Sequence, residues 1–313
     1  MEIIPHDTKF DFISWRKPLV MVSLVLNVLA LLLLVVKGPN LGIDFAGGSL
    51  VQVRFSDATP TDAIRSALSG LDFGALDIQD LGGASKEFLV RVPLTGDNAE
   101  GVNKQVTATL AEKFGAGNVE VMRVEAVGPR VGRDLRQKAI LAVVFATLMM
   151  GVYIWIRFEW RFGLGAAVAL IHDVLLAIGA LVLFNYEFDL TIVAALLTIV
   201  GFSVNDTVIV SDRIRENRTK DRRSSLASII NRSINETLSR TVLTTGTAIM
   251  VVLSLFTLGG VVIHGFAFTL LVGFVVGTYS SIFISSPIVL FFEPATAAPA
   301  AERRAAAAPA ARR

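Results

Sequence analysis

Long apolar runs alternate along this chain with short polar turns, and the runs are of similar length. Stretches 18–36, 139–156, 162–184, 190–210, 241–258 and 266–292 hold no lysine or arginine. Each has roughly the 20 residues that a helix needs to cross the hydrocarbon of a bilayer, so the pattern predicts six membrane-spanning helices. The last run contains Pro287, where a kink or an end is expected. Between 37 and 138 the pattern changes. Val51, Val53 and Phe55 alternate with polar residues, the period of a half-buried strand. Thr59, Pro60, Thr61 and Asp62 read as a helix start, a Thr cap followed by Pro, and that helix is expected to reach Leu71. Strands are expected near 76–80 and 88–94, a second helix over 99–114 stopped by Gly115 and Gly117, and a last strand over 119–127. The order β-α-β-β-α-β is that of the ferredoxin-like split βαβ unit. The expected fold class is therefore a polytopic α-helical membrane protein of six transmembrane helices, with a small α+β ferredoxin-like domain between helices 1 and 2. Such a domain hosts many functions and assigns none.

Composition agrees with this reading. The chain of 313 residues is 53% hydrophobic and 18% charged, against about a quarter charged for soluble domains. Lys9, Arg16 and Lys17 precede the first span, Arg157 and Arg161 fill one turn, a dense basic group runs from Arg213 to Arg240, and Arg303, Arg304, Arg312 and Arg313 follow the last span. Six alternating spans put all of these on one side, while turns 185–189 and 259–265 hold no lysine or arginine. The positive-inside rule then places both termini in the cytoplasm and 37–138 in the periplasm. The expected organisation is a cytoplasmic leader (1–17), the first helix (18–36), a periplasmic domain with hinges (37–138), a five-helix bundle (139–292) and a disordered Ala-, Pro- and Arg-rich tail (293–313). The N-terminal apolar run is long and lacks an A-x-A-like cleavage site, so it is read as a retained span. A net charge of +2 gives no global field for nucleic acid. Without cysteine there is no disulfide, thiolate nucleophile or Cys-based metal site. No Walker loop, H-E-x-x-H or G-x-S-x-G occurs, so the sequence points away from an enzyme and expects no metal and no organic cofactor.

The chemistry concentrates where charge is most expensive. Asp206 lies in the fourth span beside Asn205, and a carboxylate at that depth costs a few kcal/mol. Asn205 is expected to be a second buried polar group. Helix glue is one reading, since polar side chains bond between packed helices. An amide would serve as glue equally well, so an acid favours a proton role. Arg240, at the mouth of the next span, is either an interfacial anchor that snorkels to the headgroups or the partner charge that sets the proton affinity of Asp206. His172 and Asp173 sit near the middle of the third span; adjacent helix positions diverge by about 100°, so the two cannot both face one partner squarely. The segment 42–48, with Asp44, Gly47 and Gly48, follows the first span. It reads as a hinge, mirrored at the other end of the domain by Gly128, Pro129 and Gly132. Gly273 and Gly277 form a small-xxx-small pair for close helix packing. Leu226, Ile229, Ile230, Ile234 and Leu238 have helical spacing, which with Arg222, Arg223 and Arg232 suggests an amphipathic helix lying on membrane lipid.

Together these motifs resemble the SecF family of the bacterial protein-export machinery. The resemblance covers roughly residues 10–292. It rests on 42–48, 127–132, His172-Asp173, the block from Val200 through Asn205-Asp206-Thr207 to Asn217, the block from Arg232 to Thr241, and Gly277-Thr278-Tyr279-Ser280-Ser281. It implies an accessory subunit of the bacterial inner membrane that pairs with SecD and acts beside the SecYEG channel on a translocating preprotein. Such subunits belong to the proton-coupled RND superfamily. The proton is then the coupling ion, and Asp206 and Arg240 match the family's proton-pathway acid and arginine. A further essential acid belongs to SecD. Two other functions stay open at this point: half of a proton-coupled small-molecule exporter, for which 90 external residues is small, and a passive scaffold that stabilises the translocon.

Overall fold

The computed structural model describes residues 8–71, 73, 76–82, 86–93 and 99–293; the first residues of the expected leader and the expected tail from 294 onward lie outside them. In chain order the elements are α1 (Arg16–Val36), β1 (Asn40–Leu41), the single turn α2 (Ile43–Ala46), β2 (Gly48–Phe55), α3 (Thr61–Leu68), β3 (Asp77–Asp80), β4 (Glu87–Val92), α4 (Ala99–Phe114) and β5 (Val119–Val127). Then come α5 (Pro129–Arg157), α6 (Trp160–Leu183), β6 (Glu187–Phe188), α7 (Leu190–Lys220), α8 (Leu226–Leu258) and α9 (Val261–Ser280). A π-helical turn (Ser281–Ser285) and α10 (Ser286–Phe291) complete the sixth span. Among the described residues six helical segments are long and apolar enough to cross a membrane. The chain forms two compact units: Met1–Gly38, Val143–Tyr186 and Ala194–Arg313 in one, Pro39–Ala142 and Glu187–Val193 in the other.

The mixed unit is a four-stranded antiparallel sheet of order β3-β4-β2-β5. Val51, Val53 and Phe55 of β2 and Phe88 and Val90 of β4 point to one face, where Ile64 and Leu68 of α3 and Val106 and Leu110 of α4 cover them. Burial of these side chains, each worth about 1.5–3 kcal/mol, holds the unit together. The helix start differs from expectation: Thr59 does not cap α3, and its hydroxyl donates to the Asp57 carbonyl at 3.1 Å. Pro60 is the first flanking residue, and its fixed φ sets the helix direction.

Three helical elements depart from the sequence reading. α5 starts at Pro129 rather than 139, because Pro at a first helical position loses no hydrogen bond. α7 and α8 have 31 and 33 residues, lengths of about 46 and 50 Å at 1.5 Å per residue, so the basic segment after Val210 is largely helix. The expected surface helix is in fact the first turns of α8. Its apolar stripe, Leu226, Ile229, Ile230 and Ile234, is buried with Val210 and Ile214 of α7 in the bundle core. Periodicity shows that a helix has an apolar face but not whether lipid or protein covers it. The irregularity expected at Pro287 begins six residues earlier, at Ser281. The π turn shifts the hydrogen-bond ladder ahead of a residue that cannot donate, and Ser286 Oγ donates to the Ser281 carbonyl at 3.0 Å.

Candidate functional site

Small residues on α9 let α6 and α7 approach it closely. A Cβ on Gly273 would sit 2.2 Å from Ile199 of α7, and one on Gly277 would sit 3.2 Å from Ser203 Cβ and 3.6 Å from Asp173 Oδ2. Into this seam α6 delivers Asp173, fully buried. Its Oδ2 accepts from Ser203 Oγ (2.6 Å) and Ser280 Oγ (2.8 Å), and its Oδ1 lies 2.8 Å from His172 Nδ1. His172 and Asp173 thus bond each other across their divergent directions instead of sharing a third partner. The His172 ring stacks on Tyr279 at 6.1 Å, while its Nε2 is buried without a hydrogen-bond partner among the described residues. The Tyr279 hydroxyl donates to the Leu19 carbonyl (2.8 Å), which leaves Ser23 Oγ as donor in the 2.7 Å Ser23–Tyr279 bond. Two hydrogen-bonded groups, one between α1 and α9 and one among α6, α7 and α9, therefore meet at the His172–Tyr279 stack.

Asp206 follows Ser203 by three residues, on the same face of α7. It is buried too, yet neither carboxylate oxygen has a hydrogen-bond partner among the described residues. Arg240 is exposed, and among the described residues no ion pair or hydrogen bond joins it to Asp206. Asn205 also differs from expectation: it is exposed, about 100° around α7 from Asp206. It is not a second buried polar group. The structure thus divides the expected set into His172 and Asp173, joined with Ser203 and Ser280; Asp206, buried and unpartnered; and Asn205 and Arg240, exposed on this chain.

The hinge residues meet at one place in the mixed unit. β1 pairs in parallel with β6, Asn40 opposite Glu187 and Leu41 opposite Phe188, and Gly42 N–H donates to the Phe188 carbonyl at 2.8 Å. Asp44 Oδ2 accepts the Leu190 N–H (2.9 Å), and Asp189 Oδ1 accepts the Ile192 N–H (2.9 Å). Two carboxylates therefore satisfy donors at the start of α7, where the helix dipole also favours negative charge. Gly47 has φ +78°, and a Cβ there would sit 2.7 Å from Pro129 Cα; one on Gly132 would sit 3.0 Å from Gly47 N. Gly48 opens β2, and the Gly128 carbonyl accepts the Gly132 N–H at 3.0 Å. The incoming and outgoing segments, read from the sequence as two joints, pack on each other. Arg91 adds an ion pair to Glu187 and another to Asp77 (2.9 Å). Burial pushes the Glu187 carboxyl above the usual carboxylate range, with Arg91 acting against that shift. The sequence reading missed Asp189 and Glu187. Asp189 had a signal, an acid directly before an apolar helix; Arg91 and Glu187, 96 residues apart, had none.

Two family models match: "Protein export membrane protein SecD/SecF, C-terminal" over residues 106–295 and "SecD/SecF GG Motif" over 32–59. The chain is 46% identical to the protein translocase subunit SecF of Magnetococcus marinus, covering 94% of this chain and 95% of that one. It is 41% identical to SecF of Vibrio alginolyticus, covering 92% and 91%. Among solved structures it resembles SecDF of Thermus thermophilus, described as a translocon-associated membrane protein, at 36% identity and TM-score 0.82 over 92% of this chain. It also resembles a SecDF in super-membrane-facing form, at 36% identity and TM-score 0.68. This chain spans about two fifths of each SecDF chain, 39% and 40%.

Proposed function

This chain belongs to the SecF family of protein translocase subunits, and from that footing we propose that it works with a SecD partner, beside SecYEG, to draw a translocating preprotein into the periplasm at the expense of the proton motive force. The observation that carries the reading is Asp206, a buried carboxylate with both oxygens unpaired. Taking up a proton there breaks no hydrogen bond, whereas at Asp173 it competes with three partners. Arg240 supplies the charge that favours the ionised form. In this reading protonation of Asp206 removes the charge that attracts Arg240, and α7 and α8 rearrange. α7 is one helix that carries Asp206 in its middle and is tied by its first turn, through Asp44, to the mixed unit. Movement along it reaches the periplasmic domain, and the glycine-rich contact of Gly47 with Pro129 and Gly132 is where that domain swings. His172 and Asp173 complete the proton path through Ser203, one turn from Asp206.

The magnitudes suffice. One charge moved through about 100 mV releases roughly 2.3 kcal/mol, enough to shift a two-state equilibrium about fiftyfold. In this reading SecD covers the exposed Asn205 and Arg240 and completes the site, in keeping with a SecDF chain more than twice as long as this one. The positive-inside distribution puts both termini in the cytoplasm of the inner membrane. The test is export of a slow-folding secreted protein in cells carrying Asp206→Asn, with SecD association checked by pull-down. Lost export from an intact complex is expected; normal export would leave Asp206 as helix glue and the subunit as a scaffold.

A further inference from the structure

At the arginine-rich ends of the membrane helices a cavity of about 580 Å³ opens between the α5–α6 turn, the end of α7 and the start of α8. The proton path does not use it. Arg157, Arg215, Arg218 and Arg222 line it together with the carboxylates Glu159, Asp221 and Glu293. Glu159 and Asp221 bind neighbouring groups. Glu159 holds Arg161 at 2.5 Å and Arg218 at 3.3 Å. Asp221 accepts from Ser224 Oγ (2.7 Å) and from the Ser224 and Arg223 N–H groups, and pairs with Arg232 at 3.4 Å. Arg157 lies over the Phe158 ring at 5.0 Å and reaches Asp212 at 3.8 Å. Arg215 and Arg222 are exposed and have no ion-pair partner among the described residues. The wall therefore presents two guanidinium groups that no ion pair holds among the described residues.

The depth of the cavity is marked by aromatic side chains. Trp160 stands between the lining residues Glu159 and Phe162 and packs edge-on against Phe292 at 5.3 Å; Phe292 directly precedes Glu293. Trp160 is 50% exposed, Phe291 82% and Phe292 38%. Exposed aromatic rings at the end of a spanning helix sit at the headgroup level. Guanidinium groups at that level, in a cavity also lined by the apolar side chains of Phe158, Phe162, Leu226 and Ile229, match a ligand that joins a phosphate to acyl chains. A guanidinium fork binds phosphate bidentately, and basic pockets between membrane helices on this side take anionic lipid headgroups. We propose that this cavity is a binding site for an anionic phospholipid, with Arg215 and Arg222 holding the phosphate.

The proposal is independent of the proton reading and is tested on the full chain with SecD in detergent. Native mass spectrometry is run with dioleoyl phosphatidylglycerol, dioleoyl phosphatidylcholine or inorganic phosphate as probe. Retention of phosphatidylglycerol over phosphatidylcholine is expected. R215Q/R222Q is expected to weaken it roughly thirtyfold, two basic residues each acting on an anionic headgroup, at unchanged Tm. R223Q, which changes an arginine outside the cavity lining, is expected to bind as the unaltered chain does. Equal retention of the two lipids, or a double variant that binds phosphatidylglycerol normally, would overturn the proposal. So would displacement of the lipid by millimolar inorganic phosphate, which would mark a site for soluble anions.

Discussion

Asp173 and Asp206 are both carboxylates buried in membrane helices, and their surroundings give them different work. Asp173 has both oxygens engaged, by His172, Ser203 and Ser280. A carboxylate held this way fixes the packing of α6 against α7 and α9. Hydrogen bonds to a charged group are worth about 1.5–3 kcal/mol in general, and those between membrane helices measure lower, near 0.6. The double change Ser203→Ala with Ser280→Ala is therefore expected to lower stability by about 1–3 kcal/mol. Thermal denaturation of the purified full chain measures this, and an unchanged Tm would show that the hydroxyls are not what holds Asp173. Asp206 has none of these bonds. Asp206→Asn keeps the shape and removes only the titratable group, so its stability is expected to stay within about 1 kcal/mol of that of the unaltered chain while proton-driven export is lost. A large loss of stability would make Asp206 a structural acid after all.

At the scale of elements, the start of α7 shows what a sequence reading reaches and what it does not. The six spans were legible, because apolar length is a property of each segment alone. So were most strands and both helices of the mixed domain, where period 2 and period 3.6 are local. Asp206 was legible because an acid in an apolar run is anomalous without any knowledge of its neighbours. What escaped depended on distant residues. Asp44 reads as part of a glycine-rich hinge, yet its carboxylate accepts the N–H of Leu190, 146 residues away. Asn205 reads as buried because Asp206 is, and only the rotation of α7 in the bundle turns it outward. The stripe on α8 had a correct period and an unreadable partner. Because Asp44 supplements Asp189 at the start of a long helix, Asp44→Ala is expected to cost about 1 kcal/mol. Hydrogen exchange is expected to quicken at Leu190 and its neighbours in the first turn, with the middle of α7 unaffected. Unchanged protection at Leu190 would mean that Asp189 alone suffices.

At the scale of the molecule, residues 187–193, which hold β6 and the first turn of α7, group with the mixed unit. Three ties hold them there: the β1–β6 pairing, the Asp44 bond and the Arg91–Glu187 ion pair. In the proposed cycle this is the connection through which movement of α7 reaches the domain, so conditions that loosen it should matter. Glu187 makes it sensitive to pH. Its carboxyl is raised above the ordinary value of 4.5, first by burial and further by the charges of Asp189 and Asp77, with Arg91 opposing. A raised value means that the folded state binds more protons than the unfolded one. The contribution of Glu187 to stability is then fully present below pH 4.5 and is lost as pH rises through the higher folded value. Glu187→Gln removes the titration and keeps the shape. The Tm of the unaltered chain minus that of E187Q is therefore expected to fall as pH is raised from about 4.5 to 8, the fall levelling off as pH passes the folded value. A difference that is flat with pH would mean that the attraction of Arg91 cancels burial; one that grows would mean that it outweighs burial and that the connection is tightest at neutral pH. The first outcome describes a joint that loosens as the compartment around it becomes less acidic. In the proposed orientation that compartment is the periplasm, the side from which the driving protons enter.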